Sequence, residues 1–191
     1  IPLETRGCIA SYDAGQRALT LWTSTQVPHL VVGGLADHLG IPEHRIRVIA
    51  PEVCGGFGIK AFLYPEDLAV CVMAMLVGRP IKWIEDRQEH LMAASHAREH
   101  YHHVEAAYAS DGRILGLRAT IKVDCGAYSP WPWTAAMEAG MASGVLPGPY
   151  KIRNYEARAY SVATNKTFSG PYRGVARPAA NFSMERVMDA V

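Results

Sequence analysis

Apolar and polar residues alternate from Ala18 to Thr23, the period of a strand with one buried face. Pro28 to Leu39 follows with Leu30, Val31, Leu35 and Leu39 at helical spacing, and Gly40 and Pro42 stop the helix. Arg45 to Ala50 reads as a second strand running into the glycine-rich segment Cys54-Gly55-Gly56-Phe57-Gly58-Ile59-Lys60. Pro65 suits the first turn of a helix reaching Val77 and closed by Gly78, after which Ile81 to Ile84 returns as a strand. Tyr101 to Ala109 and Arg113 to Val123 flank Asp111-Gly112, a strong hairpin signal. Asn154 to Thr164 reads as a further strand, Asn165 to Arg177 as turns, and a helix opens at Pro178. Strands and helices interleaved in this way predict an α+β fold, with α/β layers and mixed sheets.

Composition narrows the function classes. The 191 residues suffice for one large domain or two small ones. Nineteen basic residues are dispersed among 18 acidic ones, so no basic stripe is available to neutralise nucleic-acid phosphates. The longest apolar run, Leu68 to Val77, is too short to span a bilayer, and no secretory leader pattern is visible. Cys8, Cys54, Cys71 and Cys125 lie far apart without a CxxC pair, which argues against a zinc or iron–sulfur site from this chain and points to a reducing, cytoplasmic setting.

Two segments carry candidate chemistry. Gly58-Ile59-Lys60-Ala61 lacks the spacing and hydroxyl of a P-loop, and Gly56-Phe57-Gly58 does not continue as a dinucleotide fingerprint. Three glycines in four positions remain compatible with a tight turn, or with a nest of backbone N–H groups that binds an anion. In Gly170-Pro171-Tyr172-Arg173-Gly174-Val175-Ala176-Arg177-Pro178, an arginine beside a glycine ahead of a helix can offer a guanidinium and amides to an oxyanion. The alternative is a surface ion pair with a glycine turn.

Several motifs occur together and in order. Glu4-Thr5-Arg6-Gly7, Ser24-Thr25-Gln26 before Pro28-His29, and Val48-Ile49-Ala50-Pro51-Glu52-Val53 ahead of the glycine loop are followed by Asp124-Cys125-Gly126-Ala127-Tyr128 and by Tyr172-Arg173-Gly174 with Arg177-Pro178. This series resembles the molybdopterin-binding large subunit of the molybdenum hydroxylases, the family of xanthine dehydrogenase, aldehyde oxidase and aerobic carbon monoxide dehydrogenase. The resemblance spans nearly the whole chain and implies that residues 1–191 are part of the first molybdopterin-binding domain of a longer large subunit. It implies a molybdenum–molybdopterin cofactor, the cytosine dinucleotide form among its variants, with no metal ligand from a protein side chain. It assigns Gln26, Gly55, Gly56, Phe57, Gly58 and Tyr172 to cofactor binding, and Arg173 and Gly174 to the substrate-side loop. The implied reaction is oxidative hydroxylation of an aldehyde or N-heterocycle with oxygen derived from water, its glutamate base lying far downstream, so this fragment alone is expected to be inactive. The implied partners are the rest of the large subunit, an iron–sulfur (2Fe-2S) small subunit and an FAD medium subunit, in an oligomer.

Departures and isolated residues refine these expectations. Copper-containing members resembled here carry cysteine directly after Tyr-Arg, where this chain has Gly174, so a copper–sulfur–molybdenum centre is not expected. A domain that retains the fold as a non-catalytic binding or scaffolding module is the competing class. Cys54 stands where the family often has glycine, and free cysteine is ordinarily a buried small apolar group. His96, His100, His102 and His103 read as ordinary strand and loop residues, for want of a carboxylate or cysteine to complete a metal site. Glu66 and Asp67 read as helix-start residues. Trp131 and Trp133 either line a substrate funnel or plug the core.

Overall fold

The computed structural model describes residues 1–191, which fall into two compact units, Ile1–Ala94 and Ser95–Val191. The expected mixture of helices and mixed sheets is present in both.

The first unit holds a four-stranded sheet of order β3-β2-β1-β4, formed by β1 (Gly7–Asp13), β2 (Ala18–Thr23), β3 (Ile46–Ile49) and β4 (Ile81–Ile84). β1 runs antiparallel to β2 and β4, whereas β2 and β3 are parallel, the crossover being α1 (Pro28–Leu39). α2 (Pro65–Val77) and α3 (Arg87–Ala93) complete the unit. Alternation places Cys8, Ala10, Leu19 and Leu21 inward, where they meet Val31 and Leu35 of α1 and Val70, Cys71 and Ala74 of α2. Burial in this core pushes the Cys71 thiol up to about 12 and the Cys8 thiol higher still, so both pack as small apolar groups. Both long helices start at proline and close on a left-handed glycine, Gly40 or Gly78, as their sequences announce.

The second unit holds a three-stranded sheet of order β5-β6-β7, from β5 (His100–Tyr108), β6 (Ile114–Gly126) and β7 (Tyr155–Ala163). The Asp111-Gly112 turn joins the antiparallel β5–β6 pair, and Gly112 adopts the positive φ that the signal requires. β7 is parallel to β6 and is reached through α4 (Ala136–Val145). α5 (Arg177–Ala190) ends the unit. Ala139, Ala142, Ala176 and Ala180 pack with Ala119, Ile121, Val123 and Leu146, small residues allowing close approach of helix and sheet.

Three elements have no counterpart in the sequence reading. β1 turns the small residues Cys8 and Ala10 inward and leaves Ile9 partly exposed, so its apolar alternation is weak. α3 spans only seven residues but carries a reciprocal cap: Asp86 Oδ1 accepts the Glu89 N–H at 2.8 Å, and Glu89 Oε2 accepts the Asp86 N–H at 2.8 Å. α4 lies in a run of alanine, glycine and methionine that carries little apolar periodicity.

Candidate cofactor site

Gln26 and the glycine loop meet within the first unit. The Gly58 N–H donates to Gln26 Oε1 at 2.8 Å, and the Gln26 N–H donates to the Lys60 carbonyl at 2.8 Å. A carboxamide whose oxygen is held in this way must aim its NH₂ elsewhere, and that group has no partner within the chain. The loop turns through Gly55 (φ +89), Phe57 (φ +54) and Gly58 (φ +98). A Cβ on Gly56 would lie 2.4 Å from the end of the Gln26 side chain, and one on Gly55 would lie 2.8 Å from the Phe57 ring. A side chain at Gly56 would therefore displace the end of Gln26, and one at Gly55 would press on the Phe57 ring from a strained positive φ. An oriented, unpaired amide donor beside a Cβ-free backbone fits an oxo-bearing, anionic cofactor.

Beneath this loop sits a network of charges. Glu4 Oε2 accepts from Lys60 Nζ at 2.6 Å, from Ser24 Oγ at 2.7 Å and from the Cys54 N–H at 3.0 Å. Burial works to raise the Glu4 pKa, but these donors outweigh it and the carboxyl titrates below its usual range. The Lys60 side chain is wholly buried, and Glu4 is the ion-pair partner that compensates it. Arg6, 4% exposed, donates through Nε to Glu85 Oε1 at 3.0 Å, through Nη2 to the same oxygen, and through Nη1 to Glu66 Oε2 at 3.1 Å. Its guanidinium also lies 3.8 Å from the Tyr64 ring centroid. His90 Nδ1 completes the cluster at 2.7 Å from Glu85 Oε2. The glutamate and arginine of the Glu4-Thr5-Arg6-Gly7 motif thus anchor the segments that carry the loop.

Tyr172, Arg173 and Gly174 lie in the second unit, between β7 and α5. Gly174 has φ +96 and Val175 φ +52, the latter a strained conformation for a β-branched residue. The loop is closed by the Val175 N–H donating to the Tyr172 carbonyl at 2.6 Å and the Arg177 N–H donating to the Gly174 carbonyl at 3.0 Å. A Cβ at Gly174 would come within 3.0 Å of the Pro178 ring. Arg173 is exposed, while Tyr172 and Gly174 are half-buried. The Asp124-Cys125-Gly126 motif lies at the end of β6. Hydrogen bonds from Thr164 and the Gly126 N–H, together with Lys166, hold the Asp124 carboxyl down to about 2.

The structure corrects several single-residue expectations. Cys54 is exposed rather than buried. A carboxylate does reach the histidines: Glu138, on the unforeseen α4, lies 3.1 Å from His100 Nε2. His100 Nδ1 in turn lies 3.1 Å from His102 Nε2, and His102 Nδ1 lies 2.6 Å from Ser183 Oγ. These nitrogens are engaged in a hydrogen-bonded chain, and no group of three or more His, Cys, Asp or Glu residues converges as a metal site. Burial and the neighbouring His100 lower the His102 pKa. Trp131 and Trp133 are 41% and 37% exposed, so neither plugs the core. Glu66 and Asp67 do stand in the first turn of α2, Asp67 Oδ2 accepting the Tyr64 N–H at 3.3 Å and Glu66 pairing in addition with Arg6. No helix is long and apolar enough to cross a membrane.

The glycine-rich loop and the glutamine amide it orients stand on a mixed α/β frame, and comparison with known proteins gives that frame its family. The chain belongs to the molybdopterin cofactor-binding domain family, whose model matches residues 1–191. It is 41% identical over 98% of its length to the nicotine 6-hydroxylase large subunit of Paenarthrobacter nicotinovorans, covering 23% of that protein. It is 36% identical over its full length to the carbon monoxide dehydrogenase large chain of Hydrogenophaga pseudoflava, covering 24% of that chain. Quinoline 2-oxidoreductase from Pseudomonas putida 86 shares the fold with a TM-score of 0.88 and 40% identity, over 96% of this chain and 25% of that one. The chain therefore spans about a quarter of the length of these relatives.

Proposed function

We propose that this chain is the cofactor-proximal part of the catalytic large subunit of a molybdenum hydroxylase that hydroxylates an N-heterocycle or an aldehyde with oxygen derived from water. The observation that carries the reading is the Gln26 amide, fixed through its oxygen by Gly58 and left with a free NH₂ beside the glycine loop. Gln26, Gly55, Gly56, Phe57, Gly58 and Tyr172 would hold the cofactor, while Arg173 and Gly174 line the substrate side. Molybdenum on a pterin dithiolene supplies the two-electron redox chemistry when bound. The residues of this chain supply orientation: Gln26 donates a hydrogen bond of fixed direction, and the Glu4–Lys60 pair keeps its supporting loop in place. The glutamate base lies outside these residues, so the fragment by itself is inactive.

N-heterocycles come first among substrates because nicotine 6-hydroxylase and quinoline 2-oxidoreductase stand at 41% and 40% identity. Gly174 in place of a cysteine speaks against copper-dependent carbon monoxide oxidation. The cytosine dinucleotide form of the cofactor, 2Fe-2S and FAD partner subunits, an oligomeric assembly and a cytoplasmic setting complete the proposal.

The test is to supply the intact molybdenum-loaded protein with quinoline, nicotine, benzaldehyde and carbon monoxide, an artificial electron acceptor and ¹⁸O-labelled water. Label appearing in a hydroxylated heterocycle or carboxylic acid is the expected result. Turnover of none of the organic compounds, or label arriving from dioxygen instead, overturns the proposal.

A further inference from the structure

The structure assigns Arg98 the role of positioning residue for the Tyr172–Val175 loop. Arg98 precedes β5 and is remote in sequence from that loop, yet its guanidinium occupies the point where three loop carbonyls converge. Nε donates to the Val175 carbonyl at 2.7 Å, and Nη2 donates to the Arg173 carbonyl at 2.7 Å and to the Tyr172 carbonyl at 3.4 Å. The guanidinium carbon also lies 5.7 Å from the centre of the Tyr172 ring. Neighbouring backbone holds the two segments in register: His96 and Ser169 form a parallel bridge, and the Gly170 N–H donates to the His96 carbonyl at 2.8 Å.

Peptide planarity turns this grip into a functional statement. In a trans peptide the C=O of one residue and the N–H of the next point in opposite directions. Arg98 draws in the Tyr172 and Arg173 carbonyls and thereby turns the Arg173 and Gly174 N–H groups to the opposite side of the loop. Neither N–H has an acceptor within the chain. Two adjacent donors facing one way form a receptor for an anionic or strongly polarised oxygen. Carbonyl convergence also explains the choice of residue. A planar fork with a permanent charge can serve three oxygens at once, which an ammonium group on a thinner stem does with poorer geometry. The same grip holds Gly174 and Val175 at φ +96 and +52, a conformation that the loop sequence does not itself favour at valine.

The inference rests on the reading of Arg173 and Gly174 as substrate-side residues, and the experiment separates the two. Arg98→Lys, Arg98→Gly and Gly174→Val are made in the intact, cofactor-loaded protein. Four quantities are measured: molybdenum and pterin content, melting temperature, amide hydrogen exchange of the 170–177 peptide, and kcat and KM on the fastest compound of the panel above. For Arg98→Lys, at least tenfold faster exchange of that peptide is expected, with a tenfold or larger loss of kcat/KM per bound molybdenum. Arg98→Gly should lose more, and added guanidinium ion should restore part of the loss, a rescue that a merely structural contribution would not give. If the donors serve a cofactor oxygen, molybdenum content falls along with the protection; if they serve a substrate oxygen, content holds and kinetics fall.

Unchanged exchange and unchanged kinetics for both Arg98 variants overturn the inference, as does a fall in melting temperature with kinetics per molybdenum intact. Gly174→Val reports on the underlying reading: if it too leaves kinetics intact, the substrate-side assignment fails, whereas a block at Gly174 with silent Arg98 variants fails the positioning role alone.

Discussion

Replacing Arg6 by methionine offers the most quantitative test of what holds the glycine loop's foundation. Methionine keeps the volume and the packing on Tyr64 but removes every charged donor. The Glu85 carboxylate, whose side chain is 0% exposed, then keeps only the His90 imidazole and the backbone N–H of residue 6. Removing one partner of a buried pair costs about 3–5 kcal/mol, since the remaining charge stays buried without compensation. The double variant Arg6→Met/Glu85→Leu removes that charge and should recover at least half of the loss. Acidity provides a second signature. Burial alone would raise the Glu85 pKa, but hydrogen bonds from the Arg6 side chain and N–H and from His90 reverse it, so the folded value is lowered. A lowered carboxylate contributes stability above its unfolded pKa of about 4.3 and loses it as pH falls through the folded value. In Arg6→Met the burial effect prevails and the folded pKa rises, so the variant's deficit is largest near neutrality and shrinks as pH falls through that raised value. Melting of a large multidomain chain is not two-state, so the measurement is amide exchange of the β1 and β4 peptides in the intact protein. A loss under about 1 kcal/mol, or a double variant no better than the single one, refutes the argument.

Gly56→Ala should expel the Gln26 side chain and break its bond to the Gly58 N–H, costing only about 1 kcal/mol locally. Cofactor content or turnover should fall at least fivefold, measured by elemental analysis and steady-state kinetics. Gly126→Ala should destabilise far more than Gly112→Ala, although both have positive φ. The added methyl would lie against the Thr167 carbonyl in the first case and in open space in the second, and amide exchange of the β5 and β6 peptides in the two variants provides the comparison. Arg173→Lys keeps the charge and loses the fork, so a rate loss of about tenfold or more is expected with melting temperature unchanged. Copper should be far below one per molybdenum in the purified protein, and metal analysis before and after cyanide treatment checks it.

Elements that announce their own ends were legible in the sequence. α1 and α2 each begin at a proline and close on a glycine, and those local signals need no partner to be read. The β5–β6 hairpin is equally local, because Asp111-Gly112 suits its turn. β1 was not legible: its inward residues are Cys8 and Ala10, whose small size yields a weak alternation, and its place at the heart of the sheet is fixed by pairing with β2 and β4. α4 escaped for the same reason. Its buried face is alanine and a glutamate, chosen for closeness to the sheet and for His100 rather than for hydrophobicity.

The candidate site divides along the same line between local and distant causes. The Gly55–Gly58 turn could be read directly, because successive glycines state where backbone must bend or approach. Its function depends on groups the sequence places far away: Glu4 lies 56 positions from Lys60, Gln26 lies 32 from Gly58, and Arg98 lies 75 from Arg173. Each supplies a charge or an amide to backbone that would otherwise be free to reorient. A pattern of residue types reveals that such a loop exists, whereas only the folded chain shows what holds its amides and carbonyls in one direction. The spacing between loop and anchor has a mechanical consequence. The glycine loop is gripped by residues that precede it and the Tyr172–Val175 loop by one that precedes β5, so neither set of donors is oriented until its sheet has formed. Preorganisation at both loops is thus a property of tertiary structure, and substitutions at Glu4, just before β1, or at Arg98, just before β5, should reach the chemistry without touching it.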